Sequence, residues 1–209
     1  TPENARLATE PGIQVRLRAV PSFTLPQNPN RVLLVVRSQE TIGSVPAWIR
    51  EEYQAGDAVL FCDPRGVGET RWTAKNPPNY ILRSHVLLGR TVAEGRVWDI
   101  AATARHLREK YAGKASVVVL AETSSAVLAA YAALFEPDVS AVFLARPPAS
   151  HTESTAPALL NVLRVGDIPD VLGMLAPRPL TVQAGPAGIR EKVSQIYRSA
   201  GASEKFVVK

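Results

Sequence analysis

Few groups in this sequence can do chemistry, and their spacing is particular. Thr123, Ser124 and Ser125 stand in a row just after the apolar run Val117 to Leu120, with Ala121 and Glu122 between. Three hydroxyls at that point offer nucleophiles, provided that a base lies within hydrogen-bond reach. Their bland role is to cap the helix that follows. Three histidines could supply a base: His85, His106 and His151. His106 falls inside an amphipathic helical pattern beside Leu107, and His85 lies in a long connection between Ser84 and Val86. His151 follows Ser150 just after the run Ala141 to Ala145, so it comes nearest to the loops that would carry chemistry. Its structural alternative is to bond loop carbonyls. No two histidines have ligand spacing, and Asp167 with Asp170 reads as helix capping, so neither a metal nor a cofactor is expected. Cys62, the single cysteine, ends an apolar run and reads as a core thiol; an internal disulfide is excluded.

The frame for these residues is one domain spanning 1–209, since 209 residues with 46% apolar content can bury one good core. The net charge is +5, but the 24 Lys and Arg residues are spread along the chain, which argues against a nucleic-acid partner. No stretch approaches the roughly 20 apolar residues of a membrane span, and the start carries no signal segment. Because the chain opens on Thr1 without an initiator methionine, it is expected to be part of a larger protein. Export within a longer precursor stays open.

Ile13 to Val20 alternates with period 2, the pattern of a half-exposed strand toward a sheet edge. Val32 to Val36, Ala58 to Phe61, Val117 to Leu120 and Ala141 to Ala145 are continuous apolar runs, as in parallel strands covered on both faces. Leu180 to Val182 and Phe206 to Val208 are shorter runs of the same kind. Between them lie helical patterns: one from Ser44 and Pro46 through Tyr53, one through Val97 to Leu107, one through Ile189 to Ala200, and the nearly all-apolar segment Ala126 to Phe135. The alternation predicts an α/β fold with a mostly parallel sheet flanked by helices. Two long connections interrupt it, Asp63 to Ala93 and Arg146 to Pro179; the second holds six prolines and a short helix, Ile168 to Leu175, introduced by Asp167.

At this point a family resemblance becomes specific. A strand, the turn Ala121-Glu122-Thr123-Ser124-Ser125 and an apolar helix resemble the setting of the nucleophile elbow, GxSxG, of α/β-hydrolases. Ala121 and Ser125 take the places of the glycines, and Thr123 that of the serine. Asp63-Pro64-Arg65-Gly66-Val67-Gly68-Glu69 looks like the DxRGxG turn of esterases and peptidases of that fold. Arg96, Trp98 and Asp99 resemble the RVWD segment of esterases related to acetyl xylan esterases and of prolyl-oligopeptidase-type enzymes. Leu175-Ala176-Pro177-Arg178-Pro179-Leu180 is similar to their APRPL stretch. The resemblance covers roughly residues 13 to 209 and implies an α/β-hydrolase-like sheet lacking the final helix.

The departures carry equal weight. The family's acid would follow Leu180 to Val182, where Gln183 to Gly188 contains no carboxylate, and its histidine would follow Phe206 to Val208, where the sequence stops at Lys209. The loop expected to supply an oxyanion donor reads Arg37-Ser38-Gln39-Glu40. A β-branched residue disfavours positive φ, so a relaxed turn is expected at Thr123. The expectation is a catalytically degenerate α/β-hydrolase-like domain with a structural, accessory or substrate-binding role in a larger carbohydrate-esterase-like protein. Another domain or chain would then cover the sheet near Phe206 to Val208. Arg65 is expected to pair with Asp63 or Asp99. A second reading is an active serine ester hydrolase using Ser124 or Ser125 with His151 or with a histidine beyond Lys209. A third is a small-molecule site for a carbohydrate or acyl ester, bordered by Thr123, Arg37 and His151.

Overall fold

The apolar runs become strands and the 3.6-period segments become helices, in an order that sets up one open sheet. The computed structural model describes residues 4–38, 45–72, 78–111 and 113–209, except the side chains at 78 and 79. Thr1, Gln39, Glu40, Ser44 and Pro77 lie outside the described residues. The strands are β1 (Asn4–Glu10), β2 (Ile13–Ala19), β3 (Arg31–Val36), β4 (Ala58–Asp63), β5 (Ser116–Glu122), β6 (Val139–Ala145), β7 (Leu180–Gln183) and β8 (Phe206–Val208). The helices are α1 (Ala47–Glu52), α2 (Pro78–Leu87), α3 (Val92–Lys110), α4 (Ser124–Phe135), α5 (Ile168–Gly173) and α6 (Ala187–Ser199). None of them is long and apolar enough to cross a membrane.

The strands lie in the order β1-β2-β4-β3-β5-β6-β7-β8, with β1, β2 and β4 antiparallel in turn and every later pair parallel. Strand β2 lies toward the edge, as its alternation implies, one place in from it. It turns Val15 and Leu17 into the core, but β1 pairs with its outer side and forms the edge. Polar residues dominate β1, as an exposed edge tolerates, so hydrophobic periodicity gave little sign of it. The helix α2, inside the first long connection, was also not anticipated.

The sheet is covered unequally. One face packs against α3, α4, α5 and α6 in the larger core cluster. On the other face the smaller cluster gathers Leu33, Val35, Leu120 and Phe143 beneath Trp48 and Ile49 of α1, with the Trp48 and Phe143 rings stacked at 5.4 Å. At the far end, Phe206 packs on Tyr197, whereas Val207 is 42% exposed.

Asp99 on α3 ties the antiparallel end to the helical layer. Its fully buried carboxylate accepts from Arg65 Nε at 2.8 Å, Arg65 Nη2 at 2.7 Å, the Arg65 N–H at 2.9 Å and Thr9 Oγ1 at 2.6 Å. Arg65 also reaches Glu10 at 3.1 Å. Gly95 is where this arginine crosses α3, since a Cβ there would fall 2.6 Å from Arg65 Nη1. Asp63, the other expected partner of Arg65, instead holds Arg37 through two hydrogen bonds of 2.5 and 2.6 Å. Arg178 of the APRPL stretch donates to the carbonyls of Ala133 and Glu136, closing the end of α4.

Breaking a buried bidentate pair leaves a carboxylate short of partners. Arg65→Ala should therefore lower the unfolding free energy by about 3 kcal/mol in urea denaturation. A loss under about 1 kcal/mol, the range of exposed pairs, would show that the pair does not hold this turn.

Candidate functional site

Strand β5 delivers the chain to the carboxyl edge of the sheet, where α4 must begin at once. Glu122 is still in register with Ala145 of β6, and the Thr123 N–H donates to the Ala145 carbonyl at 2.9 Å. Thr123 itself stands at φ 51° and ψ −129°, and its carbonyl accepts from the Ala126 N–H at 3.1 Å. The expected relaxation does not occur. Nor does the Thr123 side chain cap α4. The reason lies in the helix: eight of its twelve residues are buried, so α4 must lie flat on the sheet and the reversal has to be sharp. A β-branched residue in that region stores on the order of 1–3 kcal/mol of strain, offset by the burial of the helix it launches. Arg146 after β6 and Ala184 after β7 also have positive φ, at 47° and 51°.

Over this turn opens a cavity of about 680 Å³. Thr123 and Ser124 lie on its wall, α3 contributes Arg96 and its capping residue Thr91 adds to it, α2 contributes Leu82 and Val86, and the loop after β6 adds Arg146, Glu153 and several prolines. Of the four residues singled out from the sequence, only Thr123 and Ser124 reach it. Ser125 is buried within α4. His151 bonds Tyr131 of α4 instead, Nε2 to hydroxyl at 3.1 Å, and its N–H donates to Asp167 at 2.8 Å. Arg37, expected at the same cleft, is buried in its pair with Asp63 beside the Phe61 ring. Its N–H is committed to the Cys62 carbonyl at 3.0 Å.

Burial pushes the His151 pKa down, while the Pro157 carbonyl and the Asp167 charge act the other way. The neighbouring Tyr131 hydroxyl is pushed up to about 12, chiefly by burial and further by Asp167. Both shifts favour the uncharged forms of the pair, and the geometry leaves the buried His151 Nδ1 without a hydrogen-bond partner of good alignment. Asp167 and Asp170 form a reciprocal capping box on α5. Among the described residues no group of three His, Cys, Asp or Glu side chains could hold a metal. His85 turns its ring to the Ile81 carbonyl of its own helix at 2.9 Å.

Two arginines of the cleft escaped sequence reasoning. Arg96 sat inside a recognised segment and was read only as part of a helix start. Arg146 directly follows a central parallel strand, and that position alone could have marked it, because ligand sites gather at carboxyl ends of such strands. A second, apolar cavity of about 720 Å³ lies by α3, α4 and α5, where Trp98, Phe135, Val165 and Met174 are exposed.

With fold and cleft in hand, the chain can be set beside known proteins. No family model matches it, and no curated protein does. Solved structures do. A Bacteroides fragilis protein named as an acetyl xylan esterase superposes with a TM-score of 0.70 at 12% identity, covering 97% of this chain and 64% of its own. The acylaminoacyl peptidase of Pyrococcus horikoshii gives 0.66 at 9% identity, covering 100% of this chain and 36% of its own. A serine hydrolase homologue from Coxiella burnetii gives 0.58 at 15%, with 100% and 87% covered. The chain thus spans less than two thirds of the length of the first two. It has the α/β-hydrolase fold, as its motifs implied, and its structural neighbours are esterases and peptidases of that fold.

Replacing Thr123 by Gly should stabilise the protein by about 1 kcal/mol, the relieved strain exceeding the entropy that glycine adds to the unfolded chain. Urea denaturation of Thr123→Gly measures it, and a loss of stability would mean that the elbow is unstrained. His151 generates a pH dependence as well. A lowered folded-state pKa means that the unfolded chain binds more protons between that value and the ordinary 6.5. Its contribution is therefore intact above pH 6.5 and is lost as pH falls toward the folded pKa. The wild type should weaken between pH 7.5 and 5.5 more than His151→Gln does; equal slopes would show that His151 titrates normally.

Proposed function

We propose that this is a catalytically degenerate α/β-hydrolase-like domain whose cleft binds a small molecule without hydrolysing it, in an accessory or substrate-binding role within a larger esterase-like protein. One observation carries the reading. The cleft has hydroxyls at the elbow, but His151, the histidine of the loops at the carboxyl edge, is bonded to Tyr131 away from it. The segment Gln183 to Gly188 after β7 adds no carboxylate, and a hydroxyl without a positioned base is a poor nucleophile. The apolar part of the cleft wall, with Leu82, Val86, Val92 and Pro157, favours an acyl compound over a bare sugar. A covering domain or chain over the β8 end of the thinly covered face belongs to the same reading, supported by the exposure of Val207.

The Ser124 hydroxyl on the cleft wall favours one rival, a serine hydrolase using Ser124 or Ser125. The two separate in a single experiment, p-nitrophenyl acetate turnover combined with fluorophosphonate labelling. The wild type and Thr123→Ser should both stay at background, because nucleophile, base and acid act as a unit and restoring one gains little. Stoichiometric labelling that disappears in Ser124→Ala or Ser125→Ala, with turnover lost in parallel, would establish the rival.

A further inference from the structure

Arg96 is the cation of the cleft whose fork is not closed by a carboxylate among the described residues. Its Nε donates to the Arg65 carbonyl at 3.0 Å and its guanidinium lies 5.8 Å from the centre of the Trp72 ring. Among the described residues it forms no ion pair. The acid one turn along α3, Asp99, is already saturated by Arg65 and Thr9. The other charged side chains of the cleft have hydrogen-bond partners of their own. Arg146 pairs with Glu122. Glu153 accepts from the Ala149 N–H at 2.8 Å and from Thr155 at 3.4 Å, ordering its own loop.

We propose that the cleft binds a small carboxylate with an apolar body, its anionic head on Arg96 and its body along Leu82, Val86 and Pro157. The proposal rests on the reading that this cleft is a ligand site. A guanidinium has five N–H donors in a planar fork that matches a carboxylate bidentately. Here the Arg65 carbonyl and the Trp72 ring hold that fork in place, so little side-chain freedom is lost when an anion docks. Burial drives the pKa of Arg96 down and the nearby Arg65 charge adds to that effect, while the Asp99 charge acts against both without cancelling them, so an anion on the open side of the fork would relieve a desolvated charge. Ser124 adds to the field: at the first position of α4 it sits where N–H groups lack helical partners, on the positive end of the helix dipole. Val92, Pro147 and Pro148 extend the apolar side of the wall, and about 680 Å³ suits a ligand of some ten to twenty heavy atoms, about the usual size for such pockets.

Octanoate and its neutral isostere octanamide test this by isothermal titration at neutral pH. Octanoate should bind the wild type about tenfold tighter or more, the worth of a charge-assisted hydrogen-bonded pair. In Arg96→Met, checked for folding by circular dichroism, octanoate should fall to the octanamide level. Equal binding of the two ligands by the wild type would overturn the anion subsite and leave the cleft standing as a ligand site. Preferential octanoate binding that persists in folded Arg96→Met would also overturn it, since the anion would then sit elsewhere. Binding of neither ligand would sink both the subsite and the ligand-site reading. The comparison within the wild type keeps the test decisive even where Arg96→Met does not fold. Neither ligand carries an ester, so a positive result in the turnover assay would not bear on this outcome.

Discussion

A carboxylate with no exposure to water must have nearly every lone pair satisfied, and Asp99 does so by drawing three separate parts of the chain onto itself. Thr9 comes from the edge hairpin, the N–H and side chain of Arg65 come from the turn after β4, and Asp99 itself stands on α3. The antiparallel end of the sheet, the DPRGVG turn and the longest helix are thereby fixed relative to one another. The same saturation has a consequence for the cleft. With both oxygens of Asp99 taken, Arg96 one turn earlier feels that charge but forms no ion pair among the described residues, and it lines the wall of the cavity. The constraint that organises the fold also leaves a cation at the site.

The elbow shows how far shape can persist without the residues usually associated with it. Three positive-φ residues, Thr123, Arg146 and Ala184, follow three neighbouring parallel strands. Each turns the chain just after a ladder hydrogen bond has held it to the adjacent strand end, as with the Arg146 N–H on the Gln183 carbonyl at 2.8 Å. What forces the turn at Thr123 is the helix behind it, whose small, apolar residues (Ala126, Ala129, Ala130, Ala133) let it lie close to the sheet. Strain of a few kcal/mol at one residue is small beside the burial of such a helix. A reactive serine is therefore not required for the geometry that presents one.

Much of the frame was legible because burial on two faces writes itself into sequence. The runs in β3, β4, β5 and β6 and the period in α3 and α6 are direct records of which side chains lose water. The capping box of Asp167 and Asp170, the buried Cys62 and the Arg65–Asp99 pair were legible for the same reason, since each is a local or strongly typed interaction. What escaped was whatever depends on competition between distant groups. Asp63 and Asp99 were both reasonable acids for Arg65, and only the fold decides that Arg37 claims the first. The turn at Thr123 was misjudged because local preference, which opposes positive φ in a β-branched residue, was overridden by packing of the whole of α4.

His151 illustrates that competition at the site itself. Tyr131 is the lone polar side chain in the stretch from Ala126 to Phe135, and a half-buried phenol that must leave water needs a partner. His151 supplies it, with its ring fixed by the Asp167 carboxylate on its backbone N–H. Turning the imidazole toward Thr123 would strand the Tyr131 hydroxyl at a cost of about 1–3 kcal/mol, before any backbone change in the loop. A base for the elbow would have to displace that arrangement or come from another segment. The hydroxyls and the histidine of this domain are thus kept apart by the same requirement, full satisfaction of buried polar groups, that binds Arg65 to Asp99.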